Sequence, residues 1–216
     1  MPDKNRLRGL YAITPSDACR PSELLPRVTA ALQGGTGILQ YRDKAPDRAR
    51  RRANAEALKK QCQIFGALLI INDDIELASE VGADGVHIGR DDGDIENARR
   101  KLGQDAIIGI SCYNQLPLAI QAQAAGADYV AFGRFFPSVT KPQAVQAYPE
   151  LLTAARRALR VPVVAIGGIT PENGATLIQA GADMLAVVNA VFGQQDIEAG
   201  CRRFHPLFDN PERGPQ

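Results

Sequence analysis

A recurring tripeptide restricts the fold of this chain more than any other feature. Gly82-Ala83-Asp84, Gly126-Ala127-Asp128 and Gly181-Ala182-Asp183 each stand directly before a short apolar run. Gly34-Gly35-Thr36-Gly37 occupies the same place before an earlier run. In each case a glycine closes a helical pattern, a turn follows, and a buried-type strand begins. Counted along the chain, these strands are the second, fourth, sixth and eighth, so the repeat marks every other unit.

Strands are predicted at residues 7–13, 38–41, 67–71, 85–88, 107–111, 129–132, 163–166 and 184–188. Helical patterns lie between them, the clearest at about 47–65, 95–102, 116–125 and 149–159, and a last helix runs to about 208. Strict alternation of strand and helix predicts a parallel sheet. Eight such units in one α/β domain predict a closed (β/α)8 TIM barrel over residues 1–209. An open doubly wound sheet is the second choice, and it usually has fewer strands. Residues 210–216 read as a disordered tail.

Composition narrows the function. The chain has 216 residues, 45% of them hydrophobic, and a formal net charge of +1, so no general field favours nucleic acid or a membrane. Cys19, Cys62, Cys112 and Cys201 are far apart, with no Cys-x-x-Cys pair and only two histidines. That pattern argues against a zinc site or a disulfide framework and fits a reducing compartment. Residues 1–8 lack an apolar signal core, and the longest apolar run, 64–71, is too short to span a bilayer. The expectation is a cytoplasmic protein.

In a barrel, function is expected at the C-terminal ends of the strands. The seventh strand ends in Gly167-Gly168, with Thr170 read as a helix N-cap and Pro171 as the first helical residue. Such a turn suits an anion, although an ordinary tight turn would use the same residues. Phosphate commonly sits on the loops after strands seven and eight, and Val188-Asn189 follows strand eight.

Other strand ends carry Gln40-Tyr41-Arg42-Asp43-Lys44, Asn72-Asp73-Asp74, His87 to Asp92, and Ser111-Cys112. The loop after strand six, residues 133–142, is long and holds Lys141. Arg42, Lys44 and Lys141 can neutralise several negative charges. Asp73 and Asp92, on neighbouring strand ends, could converge on one hard cation such as Mg2+. Together these suggest a diphosphate site and a second, single-phosphate site at Gly168. Blander roles are expected for several neighbours: Asp74 as a helix cap, Arg48 and Arg50 to Arg52 as a solvated helix face, His87 as a packed histidine, and the cysteines as inert.

The combination Gln40-Tyr41-Arg42-x-Lys44, Asn72-Asp73-Asp74, His87-x-Gly89-x-x-Asp92, Gly109-Ile110-Ser111, Thr140-Lys141-Pro142 and Ile166-Gly167-Gly168-Ile169 resembles the thiamine-phosphate synthase family. The match runs from Gly9 to about Phe208. The resemblance implies an enzyme that joins a hydroxymethylpyrimidine diphosphate to a thiazole phosphate, releasing thiamine phosphate and pyrophosphate with Mg2+. By that resemblance Gln40, Tyr41, Arg42, Asp43, Lys44, Asn72, Ser111 and Lys141 hold the pyrimidine diphosphate. Arg42, Lys44, Ser111 and Lys141 act in the reaction itself. Asp73 and Asp92 ligate the metal. Ser138, Val139, Thr140, Gly168, Val188 and Asn189 hold the thiazole phosphate.

Three places depart from the family pattern: Arg90, Asn189 and Ser111-Cys112-Tyr113. Two alternatives stay open, a thiazole tautomerase on the same scaffold and a non-catalytic phosphate-ligand sensor. The implied partners are small molecules only, and the oligomeric state is left open.

Overall fold

The computed structural model describes residues 4–15, 21–89, 93–137 and 145–209. The expected tail at 210–216 lies outside them. Eight strands alternate with helices: β1 (Gly9–Ile13), α1 (Pro21–Gln33), β2 (Ile38–Tyr41), α2 (Arg48–Phe65), β3 (Leu68–Asn72), α3 (Ile75–Glu80), β4 (Gly85–Ile88), α4 (Ile95–Leu102), β5 (Ile107–Tyr113), α5 (Leu116–Ala124), β6 (Tyr129–Gly133), α6 (Pro149–Ala158), β7 (Val163–Ile166), α7 (Gly174–Ala180), β8 (Met184–Val187), α8 (Asn189–Phe192) and α9 (Ile197–Arg202). All pairings are parallel, and β1 pairs with both β2 and β8, which closes the barrel. Among the described residues no helix is long and apolar enough to cross a membrane.

Strand alternation builds two apolar layers. Tyr11, Ile13, Ile38, Leu68, Ile70, Ile107, Tyr129, Val164 and Met184 point into the barrel. Their neighbours, such as Leu39, Leu69, Val86, Val130 and Leu185, pack outward against the helices.

The repeated aspartates explain themselves here. Asp84 accepts a hydrogen bond from the Leu69 N–H at 2.8 Å, and its own N–H donates to the Leu69 carbonyl at 2.9 Å. Asp128 does the same to Ile108, and Asp183 to Val163. Each acid thus clamps the start of one strand to the turn before the next, at the N-terminal end of the barrel.

β3, β6 and β8 lie within one residue of their expected bounds, and four larger details differ from the sequence reading. β1 starts at Gly9, not residue 7, because Gly9 takes φ +90° and breaks the extended run. β5 runs on to Tyr113 through a bulge, where Tyr113 takes φ +56°. α7 starts at Gly174, so Thr170 is not its N-cap and Pro171 is not its first residue. Asn173 holds that turn instead: its side chain accepts from the Thr170 N–H at 2.8 Å and donates to the Gly168 carbonyl at 3.0 Å. Finally, two short helices, α8 and α9, stand where one was expected, and Asp196 caps the second.

Candidate active site

A cavity of about 530 Å3 opens at the C-terminal mouth of the barrel. Of the residues singled out in the sequence, Gln40, Arg42, Lys44, Asn72, Asp73, Ser111, Gly168, Val188 and Asn189 line it. Asp92, Ser138, Val139, Thr140 and Lys141 lie outside the described residues. Tyr41 and Asp43 do not line the cavity.

The period of two along a strand explains that split. Gln40 points inward, so Tyr41 must point outward, toward α2. Its hydroxyl donates to Asp43 at 3.1 Å and accepts from Asn54 Nδ2 at 3.3 Å. Asp43 also accepts from Arg50 at 3.0 Å and from the Ala45 N–H at 2.8 Å. These two candidates therefore brace the β2–α2 loop rather than face the cavity. Burial pushes the Tyr41 hydroxyl pKa upward, so it stays a neutral donor. Arg50 and Arg51, expected on a solvated face, instead pair with Asp43 and Asp74 at 3.0 Å. Asp74 caps α3 as expected, accepting from the Leu77 N–H at 2.9 Å.

Asp73 is held differently. It takes φ +64°, a left-handed conformation uncommon outside glycine, though aspartate and asparagine adopt it more readily than most residues. Its N–H donates to the His87 carbonyl at 2.8 Å, which pins the turn. Its carboxylate meets the Lys44 ammonium and the Asn72 amide. Among the described residues no group of three His, Cys, Asp or Glu converges on one point. One carboxylate and an amide oxygen nevertheless suit a hard cation that keeps most of its ligands as water and phosphate oxygen.

Gly167 and Gly168 also have a local explanation. Both take positive φ, +106° and +62°. A Cβ on Gly168 would lie 2.2 Å from the Pro137 carbonyl oxygen, and one on Gly167 would lie 2.7 Å from Arg134 Cα. The bare glycines let the loop after β6 cross directly over the end of β7. Gly168 still faces the cavity, next to Val188 and Asn189 at the start of α8, whose leading N–H groups have no partner within the helix.

The sequence reading missed the polar interior beneath the mouth. Tyr11 and His87 line the cavity, and Tyr129 lies just below it. His87 is buried, as expected of a packed histidine, yet both ring nitrogens have polar partners, Tyr129 and Ser111. Inward alternation from Gln40, Ser111 and Asn72 to their neighbours would have found them. Tyr113, Arg134, Thr170 and Gln194 also line the cavity. Burial pushes the Cys62 and Cys112 thiols up to about 12 and the Cys201 thiol upward, against reactivity, while Cys19 lies outside the described residues.

Known proteins share the sequence and the fold. The family model described as thiamine monophosphate synthase matches residues 10–191. A thiamine-phosphate synthase of Thioalkalivibrio sulfidiphilus is 53% identical over 204 residues, covering 94% of this chain and 97% of that protein. One of Aromatoleum aromaticum is 51% identical over 209 residues, covering 97% and 100%. The solved thiamine phosphate pyrophosphorylase of Pyrococcus furiosus superposes with a TM-score of 0.83 at 31% identity, covering 95% of this chain and 97% of its own. A mouth of this build and a match across nearly the whole chain lead to one conclusion: the chain belongs to the thiamine monophosphate synthase family.

Proposed function

We propose that residues 1–209 form one catalytic unit that makes thiamine phosphate. The substrates are 4-amino-2-methyl-5-(diphosphooxymethyl)pyrimidine and 4-methyl-5-(2-phosphoethyl)thiazole or its carboxylated form. The observation that carries this reading is the split character of the mouth. Cationic Arg42 and Lys44 sit at its rim, over a floor of polar groups, Gln40, His87 and Ser111.

That layout suits a reaction that needs a leaving group stabilised more than a proton removed. The pyrimidine's amino group can release electrons as the C–O bond to the diphosphate breaks. The resulting benzyl-like cation is trapped by the thiazole nitrogen. Lys44, already turned toward this site, can move from Asp73 to the diphosphate as negative charge grows on the departing oxygen. Arg42 and Lys141 would share that charge. Asn72 and Gln40 orient the pyrimidine, and Ser111 donates to the diphosphate. Gly168, Val188 and Asn189, with Ser138, Val139 and Thr140, would hold the thiazole phosphate.

Mg2+ is the cofactor we assign, held by Asp73 and Asp92. When bound, it supplies charge compensation for the diphosphate. The near-neutral composition and buried free thiols fit a cytoplasmic enzyme.

The test is incubation with both substrates and Mg2+, followed by mass detection of thiamine phosphate and pyrophosphate. Isomerisation of the thiazole alone would favour the tautomerase. Binding of both substrates without product would favour a sensor.

A further inference from the structure

We propose that the barrel interior carries a directional hydrogen-bond relay, from Gln40 through Tyr11, Tyr129 and His87, that presents the Ser111 hydroxyl to the pocket as a donor. The four links are continuous. Gln40 Nε2 donates to the Tyr11 hydroxyl at 2.8 Å, and the Tyr11 and Tyr129 hydroxyls are 2.8 Å apart. The Tyr129 hydroxyl lies 3.0 Å from His87 Nδ1, and His87 Nε2 lies 2.9 Å from Ser111 Oγ.

Proton counting leaves two self-consistent directions, and the Gln40 amide as placed, with Nε2 toward Tyr11, selects one of them. A phenol has one proton to give. Burial pushes the Tyr11 and Tyr129 hydroxyls further from ionisation, so both keep it. Tyr11 accepts from the Gln40 amide and gives its proton to Tyr129. Tyr129 then gives its own to His87 Nδ1. The imidazole is left with its proton on Nε2, which donates to Ser111 Oγ. The serine proton remains, and it points into the cavity.

The reverse direction is equally continuous but starts with the Gln40 amide turned over. It would leave Ser111 donating to His87 and offering the pocket only an acceptor, the wrong partner for a diphosphate. That choice of direction rests on the diphosphate reading; the existence of the relay does not.

The relay is held by packing. Tyr129 is fully buried, stacked on His87 at 5.6 Å between centroids and edge-on to Tyr11 at 6.0 Å. Its ring rests on Gly109, where a Cβ would come within 1.9 Å of Tyr129 Cζ. Tyr129 does not line the cavity, so it acts through His87 and Tyr11 as a positioning residue.

The tautomer of His87 reports the direction, and 15N NMR of histidine-labelled, substrate-free protein reads it. The chain has two histidines, and His205→Gln assigns the other. The expected result is a bare Nδ1 and a protonated Nε2 on His87. A protonated Nδ1, alone or together with Nε2, overturns the proposal. Tyr129→Phe removes the proton that fixes this tautomer. It should give a mixed tautomer and a kcat lower by roughly tenfold, about one hydrogen bond's worth, with KM little changed. A folded Tyr129→Phe with the parent's tautomer and kcat also overturns it. Should that variant not fold, the parent's tautomer still decides. Because the spectrum needs no substrate, failure to make thiamine phosphate would sink the functional reading without touching the relay.

Discussion

The two ends of this barrel use acidic residues in opposite ways. At the N-terminal end, Asp84 is saturated: it accepts the Leu69 N–H and pairs with Lys59 at 2.8 Å, with only 15% of the lysine and 16% of the aspartate side chain exposed. Asp128 is likewise tied to Ile108, Arg99 and Lys4. At the C-terminal end, Asp73 sits on a left-handed backbone beside a lysine that is 52% exposed. A buried, fully partnered acid stabilises the fold, because removing it strands its partners. An ion pair to an exposed lysine contributes little to stability, and the lysine can leave it for a ligand. The difference teaches that, on the proposed function, the same residue type serves structure at one end and chemistry at the other.

Substitutions can break or sharpen this contrast. Among the acids the largest effect is expected at Asp73. On the proposed Mg2+ site, Asp73→Asn should lower turnover by roughly a hundredfold and raise the Mg2+ requirement, since it weakens the hold on a cation worth several kcal/mol of charge stabilisation. Asparagine tolerates the left-handed conformation, so the melting temperature should hold. Asp74→Asn should be mild, because the α3 cap survives in asparagine. A Mg2+ titration of product formation for both variants checks this. A sensitive Asp74 and an insensitive Asp73 would move the metal site.

Gly168→Ala should be the exception at the active end, lowering stability as well as activity. The new Cβ meets the Pro137 carbonyl and the residue must keep φ +62°, at a cost of about 2–4 kcal/mol. Denaturant unfolding of the variant measures it. The parent's stability would mean that the loop after β6 gives way easily.

At the opposite end, Asp128→Ala should cost about 2–3 kcal/mol, and Asp128→Asn less, since an amide oxygen still accepts the Ile108 N–H. Both should keep the parent's kcat well below their melting temperatures. Equal losses for the two variants would assign the effect to the ion pairs alone.

The smallest effect at neutral pH lies in the wall between the two ends. Folding raises the Cys62 and Cys112 thiols from 9.0 to about 12, so the native state binds their protons more tightly. That stability is complete below pH 9 and is lost as pH rises toward 12. Melting temperature against pH should therefore stay flat with respect to these thiols at neutrality and fall on the alkaline limb. Rapid alkylation of native protein at pH 8 would contradict their burial.

Most of the fold was legible, because alternation of strand and helix and the Gly-Ala-Asp repeat are local signals. β2, β4, β7 and α4 fall on the expected residues. What escaped was set by contacts distant in sequence. The bulge that carries β5 to Tyr113 depends on β6. The late start of α7 depends on Asn173 closing back on Gly168.

The same holds for the site. Gln40, Lys44, Asn72 and Asp73 were readable as strand-end motifs. Tyr41 and Asp43 were swept in with them, because a motif does not say which side chains turn outward. Tyr11 and Tyr129 were missed, because as single aromatics in apolar strands they look like core until their hydroxyls are seen to meet.

The most direct test of the contrast measures turnover and melting temperature on the same preparations of the parent, Lys44→Ala and Asp84→Ala. Lys44→Ala should lose roughly 10²–10³-fold in kcat, the scale of one lost charge-stabilising donor, with little change in melting temperature. Asp84→Ala should melt roughly 5–10 °C lower while keeping the parent's kcat at temperatures where it is folded. Parent-like turnover in Lys44→Ala, or lost turnover in folded Asp84→Ala, would contradict the division of labour between the two ends.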